Sequence, residues 1–102
     1  MIYIVDIDGT ICDMVFHDDG TVNYDAAIPL YDRIEKMNKL YDEGHELHYW
    51  TARGSASGID RSEITHKQMK EWGVKYTTLK LKKPHYHVWI DDKAINAEQF
   101  FK

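Results

Sequence analysis

The chain has 102 residues, with 13 Lys and Arg against 17 Asp and Glu, for a formal net charge of −4. That length supports a single domain with a radius of gyration of roughly 13 Å and leaves no room for a second domain or a large lid. A composition 43% hydrophobic and 13% aromatic excludes a disordered chain, the acidic balance disfavours broad electrostatic binding to nucleic acid, and no apolar run approaches the roughly 20 residues of a membrane helix.

In chain order, residues Ile2–Ile7 predict a strand whose faces are both apolar up to Val5, as in a buried parallel sheet. Asp18-Asp19-Gly20 lies between the β-prone pairs Val15-Phe16 and Thr21-Val22, which predicts a hairpin flap over residues 14–24. Ile28, Tyr31, Ile34, Met37 and Tyr41 recur at helical spacing, with Asp25 as the expected N-cap, Pro29 in the first turn and Gly44 as the stop. A second strand is expected over His45–Trp50, then a small-residue loop at Thr51–Gly58. Asp60 and Glu63 have capping-box spacing for a helix running to about Trp72 and ended by Gly73. A weak strand is expected within Val74–Leu79, a stronger one at Tyr86–Ile90, and a short helix from about Lys93 to Phe100.

This alternation predicts one α/β domain over residues 1–102. Its sheet is small, doubly wound and mostly parallel, with helices on both faces, a hairpin flap and no cap domain. Ligands of such sheets bind beyond the carboxyl ends of the strands. There the sequence puts Asp6 and Asp8, Thr51, and the Asp91-Asp92 pair. Residues i and i+2 of a strand project to one side, so the Asp6 and Asp8 carboxylates should converge, with Gly9 freeing the turn that follows. Like charges held together must take up a proton or a cation, and oxygen-only ligands suit a hard ion such as Mg²⁺. An EF-hand fails on spacing, because Ile11 and His17 occupy the places of its Gly and its Glu.

The order of these motifs resembles that of the haloacid dehalogenase-like superfamily of phosphotransferases. The first motif is Asp6-Ile7-Asp8-Gly9-Thr10, the second is Thr51 within Trp50-Thr51-Ala52-Arg53, the third is a lysine, and the fourth is Ile90-Asp91-Asp92. The resemblance implies a Rossmann-like core and a phosphomonoester hydrolase acting through an aspartyl-phosphate on Asp6, with Asp8 as general acid and base. It also implies Mg²⁺ held by Asp6, the Asp8 carbonyl and Asp91 with Asp92. Thr51 would bind a phosphoryl oxygen, and a lysine would offset transition-state charge. Lys80, Lys82 and Lys83 compete for the lysine role, and Lys83, ahead of Pro84, is preferred. Gly9, Thr10, Thr51, Ala52 and Arg53 would line the substrate phosphate.

The expected substrate is a small phosphorylated metabolite such as a sugar or polyol phosphate. The alternatives are a polynucleotide or nucleotide phosphatase and a non-catalytic phosphate-binding domain on the same fold. A receiver-type domain is disfavoured, because its acidic pair follows the first strand, whereas here it follows the last. The capless site is open, and the flap or a second copy of the chain would have to shield it. None of the six histidines has zinc-site spacing. A lone Cys12 fits a reducing cytoplasm, and no secretory signal is visible, so the expected location is cytoplasmic with no membrane partner.

Overall fold

The computed structural model describes all 102 residues, with a radius of gyration of 13.5 Å. Its elements in order are β1 (Ile2–Val5), β2 (Cys12–Asp13), β3 (Ile28–Pro29), α1 (Tyr31–Asp42), β4 (Glu46–Trp50), α2 (Ser62–Glu71), β5 (Thr78–Lys80) and α3 (Ala97–Phe100). Three strands form a parallel sheet in the order β1-β4-β5, with Tyr3 opposite Leu47 and Tyr49 opposite Leu79. No helix is long and apolar enough to cross a membrane.

Both crossovers step along the sheet in the same direction. Right-handed connections then put α1 and α2 on one face. That face carries Val5, Leu47 and Tyr49, which close a core with Ile34 and Met37 of α1 and Met69 of α2. The other face is uncovered, and Ile2 and Ile4 of β1 are 66% and 65% exposed there. Helices on both faces were expected. The structure covers one, because no strand beyond β1 sends a crossover back across the sheet.

The missing strand is the one expected at Tyr86–Ile90. Residues 81–96 contain no helix or strand, and Ile90 is 93% exposed. Strand propensity is realised only where a neighbour supplies a ladder and a packing surface. Here Trp89 instead meets Tyr86 and Trp50 edge-on, with ring centroids 5.1 and 6.2 Å away.

Helix α1 starts later than its periodicity suggests. Pro29 holds Ile28 extended, and the two residues pair antiparallel with Cys12–Asp13. Asp25 therefore falls in a separate 3-10 turn, Tyr24–Ala26, and caps nothing. Gly44 and Gly73 follow α1 and α2 with φ of +97° and +69°, left-handed turns that glycine adopts without strain. At the start of α2 the expected capping box is absent, and Asp60 instead accepts the Ser62 N–H at 2.8 Å. The flap is present as a small hairpin. Phe16 bridges Val22 antiparallel, and the turn closes through His17 N–H to Thr21 C=O at 2.8 Å.

Candidate active site

The site forms where β1 and β4 end. After Val5 the chain buries Ile7 completely. The Ile7 carbonyl accepts the N–H groups of Thr10 at 3.1 Å and Ile11 at 2.9 Å. Gly9 supplies the left-handed corner of this loop at φ +80°. Asp6 and Asp8, flanking Ile7, are left half-buried.

The two carboxylates have different surroundings. Asp6 lies 3.8 Å from the Lys83 ammonium, and burial pushes its carboxyl above the ordinary value despite Lys83 and the Ile7 N–H, with the Asp8 charge adding to the rise. Asp8 is gripped by Arg53. Arg53 Nε donates to Asp8 Oδ2 and Nη2 to Oδ1, both at 2.9 Å, in a fork-to-fork pair. The remaining nitrogen, Nη1, donates to Gln68 Oε1 at 2.7 Å and Thr65 Oγ1 at 3.3 Å. Burial works against the Arg53 charge, but the Asp8 carboxylate outweighs it, so the guanidinium pKa rises. Arg53 was expected to hold substrate. Every nitrogen of its guanidinium is instead engaged inside the protein, so its role here is to organise Asp8.

Thr51 follows β4 and is buried. Its Oγ1 accepts the Arg53 N–H at 3.1 Å, its N–H reaches Lys80 C=O at 2.9 Å, and its C=O takes the Lys83 N–H at 3.1 Å. Its hydroxyl proton has no acceptor within the protein. The Ser55 hydroxyl donates to Lys83 C=O at 2.6 Å and ties the small-residue loop to the same point. Within that loop only glycine fits position 54, since φ is +81° and a Cβ would collide with Ile59 C=O. Among the three candidate lysines the structure brings Lys83 to Asp6, whereas Lys80 and Lys82 are exposed. Lys82 takes φ +66°, a left-handed conformation uncommon outside glycine, and this turn delivers Lys83 inward.

Asp91 and Asp92 are not gathered with Asp6 and Asp8. Both are exposed, and Asp91 Oδ1 accepts the Lys93 N–H at 2.7 Å, which lowers its carboxyl pKa. No cluster of three or more His, Cys, Asp or Glu side chains that could hold a metal ion is formed. Repulsion between Asp6 and Asp8 also imposes no need for a cation, because Lys83 and Arg53 balance them one for one. Thr10, half-buried, offers its C=O to Arg33 Nη1 at 3.1 Å, and Ala52 is half-buried beside Thr51.

Sequence reasoning passed over Tyr24, Gln68 and Thr65. The Tyr24 ring lies 4.9 Å from the Arg53 guanidinium and 5.2 Å from that of Arg61, and Gln68 Nε2 donates to Tyr24 C=O at 2.6 Å. This anchors the base of the flap to the Asp8 cluster. The available signal was the pair Thr65 and Gln68, polar residues one turn apart on the same side of α2 as buried Met69. Cys12 completes the cluster. Its S–H donates to Asp8 Oδ1 at 3.5 Å, and burial pushes the thiol up to about 12.

No protein-family model and no curated protein matches the chain. A crystal structure of an MCSG target from Vibrio cholerae is similar over 98% of this chain and 86% of that one, at 26% sequence identity and a TM-score of 0.81, so the two share the α/β fold described above.

Proposed function

We propose that the chain is a Mg²⁺-dependent phosphomonoester hydrolase of the haloacid dehalogenase-like type, working in the cytoplasm on a small phosphorylated metabolite such as a sugar or polyol phosphate. One observation carries this reading. Asp6, Thr51 and Lys83, distant in sequence, meet at one sheet edge, with Lys83 tied to Thr51 through its main chain and 3.8 Å from Asp6 through its ammonium.

In the proposed reaction an Asp6 oxygen attacks phosphorus, the bond from phosphorus to the leaving oxygen breaks, and Asp8 gives that oxygen its proton. Water then cleaves the aspartyl-phosphate, with Asp8 taking the proton back. Both Asp8 oxygens accept from Arg53, which fixes the carboxylate in one orientation, and the lone pairs the fork leaves free are the ones open to the proton. The Thr51 hydroxyl donates to a phosphoryl oxygen. Lys83 sets a positive charge beside the nucleophile before substrate arrives, so no reorganisation is needed during reaction. No side chain donates a hydrogen bond to the Asp6 carboxylate, which leaves it free to bind a hard cation with the Asp8 carbonyl. Asp91 and Asp92, which the resemblance implies as further ligands, stand exposed and apart from Asp6. The Mg²⁺ would neutralise phosphate charge that repels an anionic nucleophile.

The engaged Asp8 and the outlying acidic pair also favour a second reading, a phosphate-binding domain without turnover. Purified protein with Mg²⁺ is expected to hydrolyse p-nitrophenyl phosphate, and Asp6→Asn to abolish this. Equal rates for the two proteins would refute the covalent mechanism. A panel of sugar phosphates, polyol phosphates, nucleotides and 3′-phosphorylated oligonucleotides would identify the substrate class, and an entirely intact panel would put the binding reading ahead of the hydrolase.

A further inference from the structure

We propose that Tyr86 and Trp89 are positioning residues that clamp the Lys83 ammonium against Asp6. This inference rests on the hydrolase reading for its catalytic consequence, but its geometry is independent of it.

The Lys83 backbone is fixed on both sides, its N–H by Thr51 C=O and its C=O by the Ser55 hydroxyl. Its side chain still has four rotatable bonds, and an ammonium in a polar site ordinarily finds several acceptors for its three donors. Here it has one hydrogen bond, to Tyr86 Oη at 3.3 Å, and Asp6 at 3.8 Å is an ion pair beyond direct hydrogen-bond distance. Two aromatic rings flank it, Tyr86 from its hydroxyl end. The Tyr86 centroid lies 5.1 Å from Nζ and the Trp89 centroid 5.3 Å, within the range of a cation–π contact.

The two rings meet at 64° with centroids 5.1 Å apart, making a corner that the ammonium occupies. Trp50 backs Trp89 edge-on at 6.2 Å and is itself fixed by its indole N–H donating to Leu81 C=O at 3.2 Å. Core packing does not account for this corner. Tyr86 and Trp89 are 40% and 43% exposed, on a stretch without regular structure. The contact they share is Lys83. The clamp therefore fixes the direction of a flexible side chain whose charge must stand beside the nucleophile.

Lysine labelled with ¹³C at Cε tests the clamp without relying on turnover, with Lys83→Arg assigning the resonance. Ring currents should place the Lys83 Hε signal clearly upfield of the other lysines. Trp89→Leu should move it back among them, while Trp89→Phe, which keeps a ring, should retain the shift. On p-nitrophenyl phosphate with Mg²⁺, Trp89→Leu should lower kcat roughly ten- to hundredfold with little change in KM, and Trp89→Phe should recover most of the loss. Tyr86→Leu provides the second variant should Trp89→Leu fail to fold. An unshifted Lys83 signal in the wild type would overturn the clamp while leaving the hydrolase reading intact. A shifted signal that Trp89→Leu abolishes, in a protein that turns over no phosphoester, would sustain the clamp and overturn the hydrolase.

Discussion

Arg53→Met is the substitution to which the fold should be most sensitive. The Arg53 side chain is fully buried and that of Asp8 is only 15% exposed, so water replaces the lost partner poorly. Four hydrogen bonds of 2.7–3.3 Å end on this guanidinium. Methionine fills much of the volume and keeps the contact with Tyr24, so packing loss is small, but it strands the Asp8 charge and the Gln68 carbonyl. Removing one partner of a buried ion pair costs about 3–5 kcal/mol. A domain of this size has about 5–15 kcal/mol of stability in total, so the loss is a large share of it. Asp8→Asn removes the stranded charge while keeping the shape. The double variant Asp8→Asn/Arg53→Met should therefore lose at least about 1 kcal/mol less than the sum of the single losses. Urea denaturation followed by far-UV circular dichroism gives all four corners of the cycle. An Arg53→Met protein within about 1 kcal/mol of wild type, or an additive cycle, would refute the assignment of Arg53 as the partner that holds Asp8.

Asp6→Asn should stabilise the protein while abolishing activity. The Asp6 carboxyl is raised in the fold above the ordinary 3.8; the folded state then binds more proton than the unfolded one, and stability falls as pH rises from about 4 through the raised value. The advantage of Asp6→Asn over wild type in metal-free urea titrations should thus be larger at neutral pH than near pH 4, and a constant difference would contradict it. Tyr49 is wholly buried and its hydroxyl has no partner; Tyr49→Phe should be neutral or stabilising by about 1 kcal/mol, and a loss of more than that would reveal a partner for the hydroxyl. Cys12, with its thiol pushed up to about 12 by burial, should react with a thiol reagent at about pH 8 only as fast as the protein unfolds. Rapid labelling of the native protein would show the cluster around Asp8 to be open.

Much of this was legible in the sequence, and the pattern of what was not is physical. Strands β1 and β4 were readable from their dense β-branched and aromatic residues, although only one face of each is buried, and the helix stops were readable because Gly44 and Gly73 supply left-handed turns. The start of α1 was misread because helical periodicity extends through Ile28 while Pro29 pairs that residue with β2, a contact no local pattern contains. Tyr86–Ile90 was misread for the opposite reason. Its strand propensity is genuine, but sheet formation depends on a neighbour, and the aromatic side chains of the segment have found Lys83 and Trp50 instead.

The site divides in the same way. The meeting of Asp6 and Thr51 was legible from their positions at strand ends, whereas Lys83, three residues past β5, was singled out among three lysines by resemblance alone. Arg53 was assigned to substrate on residue type alone, and only the geometry reveals that Asp8, Gln68 and Thr65 use every nitrogen it has. That difference changes what fixes Asp8 for the proposed reaction. A carboxylate free in solvent turns in any direction, whereas Asp8 is held in one orientation by a buried fork, and Arg53 is held in turn by Gln68 and Thr65. Gln68 in turn holds the Tyr24 carbonyl at the foot of the flap. The foot of the flap and the Asp8 carboxylate are therefore joined through one guanidinium and one amide.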